Sequence, residues 1–192
     1  FYVGDILFEH VVFLVLPDSQ LTFPQMNYAI KGIIGFPVIH QLGEVHLHKN
    51  GMITVPAKHK ENKLANMFFE GLNPVVKVFS ENDTLLFTFD TGAKGSELSM
   101  KYFKEHEKSV KSKGELQTNQ TGGVGGLNAV NEYMLKDFPM KIGSKSLSLT
   151  KIPVTLEEYG FNKYFDGNLG QDVLKQFNIL IIDFKQMYID FE

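Results

Sequence analysis

The stretch "LLFTFDTGAKGS", residues 85–96, decides how this 192-residue chain is interpreted. The residues from Leu85 to Phe89 have strand character, and they lead directly into Asp90 and the Thr-Gly-Ala that follows it. Asp and Gly are common where a strand turns, so backbone geometry alone could explain this pattern. A carboxylate at the end of a buried strand could also carry chemistry, and the other motifs of the chain have to decide between these two interpretations.

Composition sets the limits for both interpretations. Apolar residues make up 43% of the chain and charged residues 21%, which is typical of a globular domain with a sizeable core. The net charge is −3 without a basic block, so nucleic acid is not an expected partner. The chain has no cysteine, which excludes disulfides and thiolate chemistry. No apolar run reaches ~18 residues, so no membrane span is predicted. The sequence opens in the middle of a predicted element, which favours a piece of a longer protein.

Strand patterns dominate and predict an all-β fold. "GEVHLHKNGMITVP" (43–56) alternates, turns at Asn50-Gly51 and alternates again, as a β-hairpin does. "NPVVKVFSENDTLLFTFD" (73–90) predicts a second hairpin that turns at "SEND". One or two short helices are expected, the first with Ser96 as its cap, Glu97 in its first turn and Leu98 on its buried face, the second at "GQDVLKQF" (170–177).

An internal repeat organises the chain. The segment from Gly32 to Leu42 aligns with the segment from Gly167 to Phe177, and each G-x-x-G precedes a predicted helix and two strands. Residues 1–57 are therefore interpreted as the C-terminal half of one lobe, 58–73 as a connector, and 74–192 as a complete second module.

Three motifs occur in order within the complete module. The first is Asp90-Thr91-Gly92-Ala93 with Ser96 shortly after, and the last is Leu169-Gly170. Between them lies a glycine-rich tip formed by Gly122, Gly123, Val124, Gly125 and Gly126. This tip lacks the Gly-Lys-Ser/Thr of a phosphate-binding loop. The order resembles that of the retropepsin-like aspartic proteases, and it is most similar to bacterial members with two modules in one chain. The resemblance spans 74–192 and, in its second half only, 1–57.

This resemblance implies a closed barrel that cleaves an extended peptide or protein without metal or cofactor. Two carboxylates about 3 Å apart cannot both ionise, so one acts as base toward water and the other as acid. Asp90 would be one of them, and Thr91, Gly92, Ala93 and Ser96 would form its turn. The glycine-rich tip would be a flap over the substrate. The buried support would be Leu169 and Gly170, with Ile33, Ile34 and Gly35 as its counterpart in the first lobe.

The second carboxylate is expected from a partner lobe upstream of Phe1, and a homodimer mate is the less favoured source. Lys94 and Asn168 depart from the family pattern, so a non-catalytic peptide-binding or structural module is the alternative. A lipocalin-type carrier, with an apolar cavity and no acid at its mouth, is a third. The compartment is open, although the resemblance favours an exported bacterial protein.

Other polar clusters carry weaker signals. Glu44, His46 and His48 share one face of a strand and could hold a metal, but an exposed polar face is the favoured interpretation. Asp172 and Asp183 are interpreted as a helix-turn and a strand-end residue. No metal site is predicted.

Overall fold

The computed structural model describes residues 1–24, 27–58, 61–123, 126–158 and 163–192. Its strands are β1 (Tyr2–Val3), β2 (Ile6–Leu7), β3 (Thr22–Phe23), β4 (Tyr28–Ala29), β5 (Glu44–His48), β6 (Ile53–Thr54), β7 (Met67–Glu70), β8 (Asn73–Ser80), β9 (Asp83–Phe89), β10 (Glu97–Leu98), β11 (Gly114–Gly123), β12 (Gly126–Ile142), β13 (Lys145–Thr155), β14 (Gly167–Leu169), β15 (Ile179–Asp183) and β16 (Tyr188–Phe191). Its helices are α1 (Asp18–Leu21), α2 (Phe36–Gln41), α3 (Met100–Lys113) and α4 (Gln171–Leu174). Within these ranges, no helix has the length and apolar character needed to cross a bilayer.

In the described part of the chain, six strands close into a barrel in the order β8, β9, β14, β10, β13, β12 and back to β8. Most neighbours are antiparallel, while β14 runs parallel to β9 and β10 runs parallel to β13. The ring is closed where Lys141 of β12 pairs with Phe79 of β8. The all-β barrel predicted from the sequence is therefore confirmed.

Strand β9 shows how the sequence produces both the core and the site. Leu85, Phe87 and Phe89 are buried, whereas Thr88 between them is only partly buried, because successive side chains on a strand point to opposite faces. Burial of each large apolar side chain contributes roughly 1.5–3 kcal/mol. The strand is thus anchored up to its last residue, and Asp90 follows at its end.

A second sheet joins the N-terminal segment to the last two strands of the chain. In the described residues its order is β16, β15, β5, β6, with β5 antiparallel to β15. Glu44 lies opposite Asp183, and His46 lies opposite Ile181. The predicted hairpin that turns at Asn50-Gly51 is confirmed as β5 and β6.

The prediction that Ser96 caps a helix is wrong. The helix α3 begins at Met100 and spans 14 residues, and the side chain of Ser99 accepts the backbone N–H of Tyr102 at 3.2 Å. Glu97 and Leu98 form β10 instead, because Leu98 is fully buried in the barrel between β13 and β14. Burial in the core outweighs a local helix signal here.

The last part of the predicted connector, 58–73, has regular structure. Residues Met67–Glu70 form β7, which pairs with β8 at the edge of the barrel sheet. Met67 is buried in the core, so this segment is held by packing as well as by its backbone hydrogen bonds.

Candidate active site

A cavity of about 680 Å³ opens beside Asp90. One wall is formed by the turn Asp90-Thr91-Gly92, and another by Ile33-Ile34-Gly35 from the N-terminal part of the chain. The structure therefore brings the acid and the first G-x-x-G segment, which are far apart in sequence, to the same space.

Backbone hydrogen bonds fix the carboxylate at this cavity. The N–H of Asp90 donates to the Leu169 carbonyl at 3.0 Å, and the N–H of Ala93 donates to the Asp90 carbonyl at 3.1 Å. The N–H of Gly92 donates to Oδ1 of Asp90 at 2.8 Å. Asp90 itself is exposed. The acid is thus oriented by its own turn while it stays open to solvent and to a ligand.

The segment after β14 lies directly against this turn. Leu169 is fully buried. A Cβ added to Gly170 would lie 2.5 Å from the backbone of Gly95, so the two loops approach closely enough that only glycine fits. The N–H of Gln171 donates to the Ala93 carbonyl at 2.9 Å, which adds a backbone link between the loops.

Ser96 and Asp172 add side-chain hydrogen bonds to the contact between these two loops. The Ser96 hydroxyl donates to Oδ1 of Asp172 at 2.6 Å and accepts the N–H of Gly170 at 2.9 Å. The Ser96 N–H donates to Oδ2 of Asp172 at 2.9 Å. Sequence reasoning placed Asp172 in a helix turn and missed this bond, because nothing local links two residues so distant in the chain.

The two residues that depart from the family pattern have different surroundings. Lys94 is exposed on the turn and does not belong to the cavity lining. Asn168 lines the cavity and its Oδ1 accepts the Thr88 hydroxyl at 2.8 Å. Sequence reasoning missed Thr88, although the alternation of β9 already placed it on the face opposite to Phe87 and Phe89.

The glycine-rich tip lies at the end of a long hairpin. Strands β11 and β12 pair from Gly114 and Leu135 to Gly123 and Gly126, and Gly122 pairs with Leu127. Val124 and Gly125 lie outside the described residues. Ten paired residues span about 33 Å, so the hairpin is long enough to reach over a neighbouring site.

The histidines of β5 each have a separate partner. His46 Nε2 lies 2.7 Å from Oε1 of Glu44, and His48 Nε2 lies 2.9 Å from the Thr54 hydroxyl. Within the described ranges, no group of three or more His, Asp or Glu side chains is arranged to hold a metal ion. Asp183 is buried and accepts N–H groups of the turn that follows β15, as a strand-end residue would.

Burial and neighbouring carboxylates shift the pKa of two side chains of α3. Burial raises the pKa of Tyr102 to about 12, assisted by the nearby carboxylates of Glu81 and Asp83. Burial lowers the pKa of Lys101, but its hydrogen bonds to the carboxylates of Asp166 and Glu105 outweigh this and raise it overall. Both side chains therefore keep their protons at neutral pH.

The chain matches no protein-family model and no curated protein. The solved structures that it resembles include the following two. An inhibitor complex of EIAV protease shares 23% identity over 54% of this chain and 86% of that chain, with a TM-score of 0.37. A retropepsin-like aspartic protease from Rickettsia conorii shares 19% identity over 77% of this chain and 89% of that chain, with a TM-score of 0.41.

Proposed function

We propose that this chain is part of an aspartic endopeptidase in which Asp90 is one of two catalytic carboxylates. The observation that carries the proposal is the cavity with the Asp90 turn on one wall and the Ile33-Ile34-Gly35 turn on another. One carboxylate would take a proton from water as it attacks the peptide carbonyl, and the other would protonate the carbonyl oxygen. The C–N bond then breaks and the amine leaves with a proton.

The register of the second sheet supports the internal repeat. The alignment of Gly32 with Gly167 also places Glu44 on Ile179 and His48 on Asp183. In the sheet Glu44 pairs with Asp183, and His48 pairs with Ile179. Equivalent strands that pair in this crossed way are related by a local two-fold axis, as in an isologous interface.

The same relation indicates where the second acid belongs. Leu169, which supports the Asp90 turn, is fully buried, whereas its counterpart Ile34 is 59% exposed. An equivalent turn placed over Ile34 would face Asp90 across the cavity. We therefore propose that this turn carries the second aspartate.

An upstream lobe of the same polypeptide is the favoured source of that turn. In a homodimer, a strand of the mate would have to pair with β15 to create the same two-fold relation. That edge of β15 is already occupied by β5 of the same chain. The lobe upstream of Phe1 would fold onto the exposed Ile33 and Ile34 instead. It would supply the N-terminal half of the lobe whose C-terminal half is residues 1–57.

The other predicted residues receive roles from this arrangement. Thr91 would bond the partner turn, while Gly92, Ala93 and Ser96 hold the Asp90 turn in shape. The hairpin tip from Gly122 to Gly126 would close over the substrate and exclude water. The substrate would be an extended peptide held largely by main-chain pairing.

Cleavage of an unstructured protein between pH 3 and 7 tests the proposal. The full-length protein, with any residues that precede Phe1 in its gene, should cleave it, and Asp90→Asn should lower the rate by about 10²- to 10⁴-fold. Asp83→Asn is the matched control, since Asp83 is an exposed acid at the other end of the same strand. Activity that survives Asp90→Asn would remove Asp90 from the mechanism.

A non-catalytic peptide-binding or structural module is the second candidate. The exposed Lys94 and the polar Asn168 favour it, since both depart from the family pattern. It predicts no second D-T/S-G upstream, a monomer in solution and peptide binding without cleavage. The carrier alternative does not fit, because it required a cavity without an acid at its mouth and Asp90 lines this one.

A further inference from the structure

The floor of the cavity carries a carboxamide that its neighbours hold in one orientation. Asn168 lies opposite Thr88 in the parallel pairing of β14 with β9, and both line the cavity. The Thr88 hydroxyl donates to Asn168 Oδ1 at 2.8 Å, closer than its 3.3 Å contact with the Gly167 carbonyl. With its oxygen engaged, the amide presents the two N–H groups of Nδ2 on its other side.

Those N–H groups are accessible to a ligand. Across the described ranges, no protein acceptor takes a hydrogen bond from Nδ2 of Asn168. The same ranges contain no sealed side-chain nitrogen or oxygen without a partner, so Nδ2 is open to the cavity. Asn168 pairs with a residue two positions before Asp90, which places it about 7 Å along the strand from the acid.

We propose that Asn168 and Thr88 form a subsite that selects a substrate residue with a neutral carboxamide side chain, Gln or Asn, next to the cleaved bond. The inference rests on the proposed peptidase function. A carboxamide oxygen accepts the N–H groups of Nδ2. A carboxylate could accept them too, but Asp90 lines the same cavity and repels an anion.

The other residues that line the cavity determine which substrate side chains fit next to the carboxamide. Phe36 and Phe184 give the remaining walls an apolar character. Because successive side chains of an extended peptide point to opposite sides, a carboxamide on the floor is flanked by residues that face these walls. The substrate is therefore a peptide with one Gln or Asn between apolar residues.

An apolar side chain in the subsite would cover the Asn168 donors without giving them an acceptor. Sites that hydrogen-bond a substrate reject analogues that lack the partner group, because their own polar atoms are left unpaired. We expect a Leu peptide to have a kcat/KM about 10- to 100-fold below that of the Gln peptide. A Lys peptide should also be poorer, since an ammonium group cannot accept a hydrogen bond.

The test uses the full-length protein and peptides that differ only in Gln, Leu, Glu or Lys at either residue flanking the cleaved bond. The wild type should prefer Gln. Asn168→Leu should reverse the preference toward Leu, and Thr88→Val should weaken it because the amide loses its fixed orientation. Asn82→Leu and Thr84→Val make the same chemical changes at exposed positions of the β8–β9 hairpin, and they should keep the wild-type preference.

Binding of the same peptides to Asp90→Asn separates this inference from the proposed function. If the wild type cleaves none and Asp90→Asn binds none, the peptidase and the subsite both fail. If peptides are cleaved or bound but Leu, Glu or Lys equals or exceeds Gln, the subsite alone fails. An unchanged Gln-to-Leu ratio in Asn168→Leu would also overturn it. A Gln preference in both assays that Asn168→Leu removes supports it.

Discussion

The two G-x-x-G segments that meet at the cavity have similar sequences and opposite environments. Leu169 is fully buried under the Asp90 turn, whereas Ile34, which aligns with it in sequence, is 59% exposed. A Cβ on Gly170 would lie 2.5 Å from the backbone of Gly95, whereas on Gly35 its nearest neighbour would be at an ordinary 3.7 Å. The same local pattern thus produces a packed support only where a second turn lies on top of it.

The contrast extends to the surface of the whole N-terminal segment, residues 1–57. Most of the large apolar side chains that stay exposed in the described residues belong to it, including Val12, Phe13, Leu14, Val15 and Ile33. Apolar surface gathered in one region marks an interaction site. In the barrel, Leu169 at the position that aligns with Ile34 is fully buried, which indicates what the N-terminal segment would bury there.

Truncation at the two equivalent positions should give the largest difference. Leu169→Ala should lower the free energy of unfolding by about 2–5 kcal/mol, because it removes fully buried methyl groups and leaves a cavity. Ile34→Ala should change it by less than about 0.5 kcal/mol in this chain. Urea denaturation of both variants checks this. Equal losses would mean that Ile34 is already covered.

The same Ile34→Ala variant should become costly when the upstream lobe is present. If a second turn packs on Ile34, its truncation should destabilise the full-length protein by about 2 kcal/mol or more. Denaturation of the two lengths side by side measures the change, with Leu116→Ala as a control at an exposed apolar position of β11. A negligible effect at both lengths would exclude a turn over Ile34.

Replacement of the two glycines should also cost more stability in the second G-x-x-G segment than in the first. Gly170→Ala should cost about 1–3 kcal/mol, since the new methyl group overlaps the Gly95 backbone. Gly35→Ala meets no such overlap and should be nearly neutral. Thermal denaturation distinguishes them, and a stable Gly170→Ala variant would show that the two loops can move apart.

The sequence predicted what depends on neighbours along the chain. The turns at Asn50-Gly51 and after Phe89, and the alternation of β9, follow from turn chemistry and a period of two. The sequence-based predictions failed where contacts between residues far apart in the chain determine the structure. Leu98 pairs with Val154 and with Gly167, which removed it from the predicted helix. Asp172 bonds Ser96 for the same reason, since no local pattern specifies that contact.

Loss of that contact should have an intermediate effect. Asp172→Asn removes the charge that strengthens two hydrogen bonds to Ser96 and should cost about 1–2 kcal/mol. Because the bond fixes the Asp90 turn, the proposed peptidase activity of the full-length protein should fall at temperatures where the variant is still folded. Asp137→Asn, an exposed acid in β12, is the control. Full activity in Asp172→Asn would show that the turn is held without this bond.

The smallest difference should appear at alkaline pH. Burial raises the pKa of Tyr102 from 10.0 to about 12, so the folded state holds its proton more tightly than the unfolded chain does. The stability from this group is complete below pH 10 and is lost as the pH rises through 12. Tyr102→Phe should therefore lose less stability than the wild type between pH 10 and 12. The matched control is Tyr28→Phe in the exposed β4, which should follow the wild-type pH curve. If Tyr102→Phe and the wild type lose stability in parallel, the alkaline sensitivity belongs to another group, such as Lys101. Burial lowers the pKa of Lys101, but its hydrogen bonds to Asp166 and Glu105 outweigh burial and raise the pKa overall.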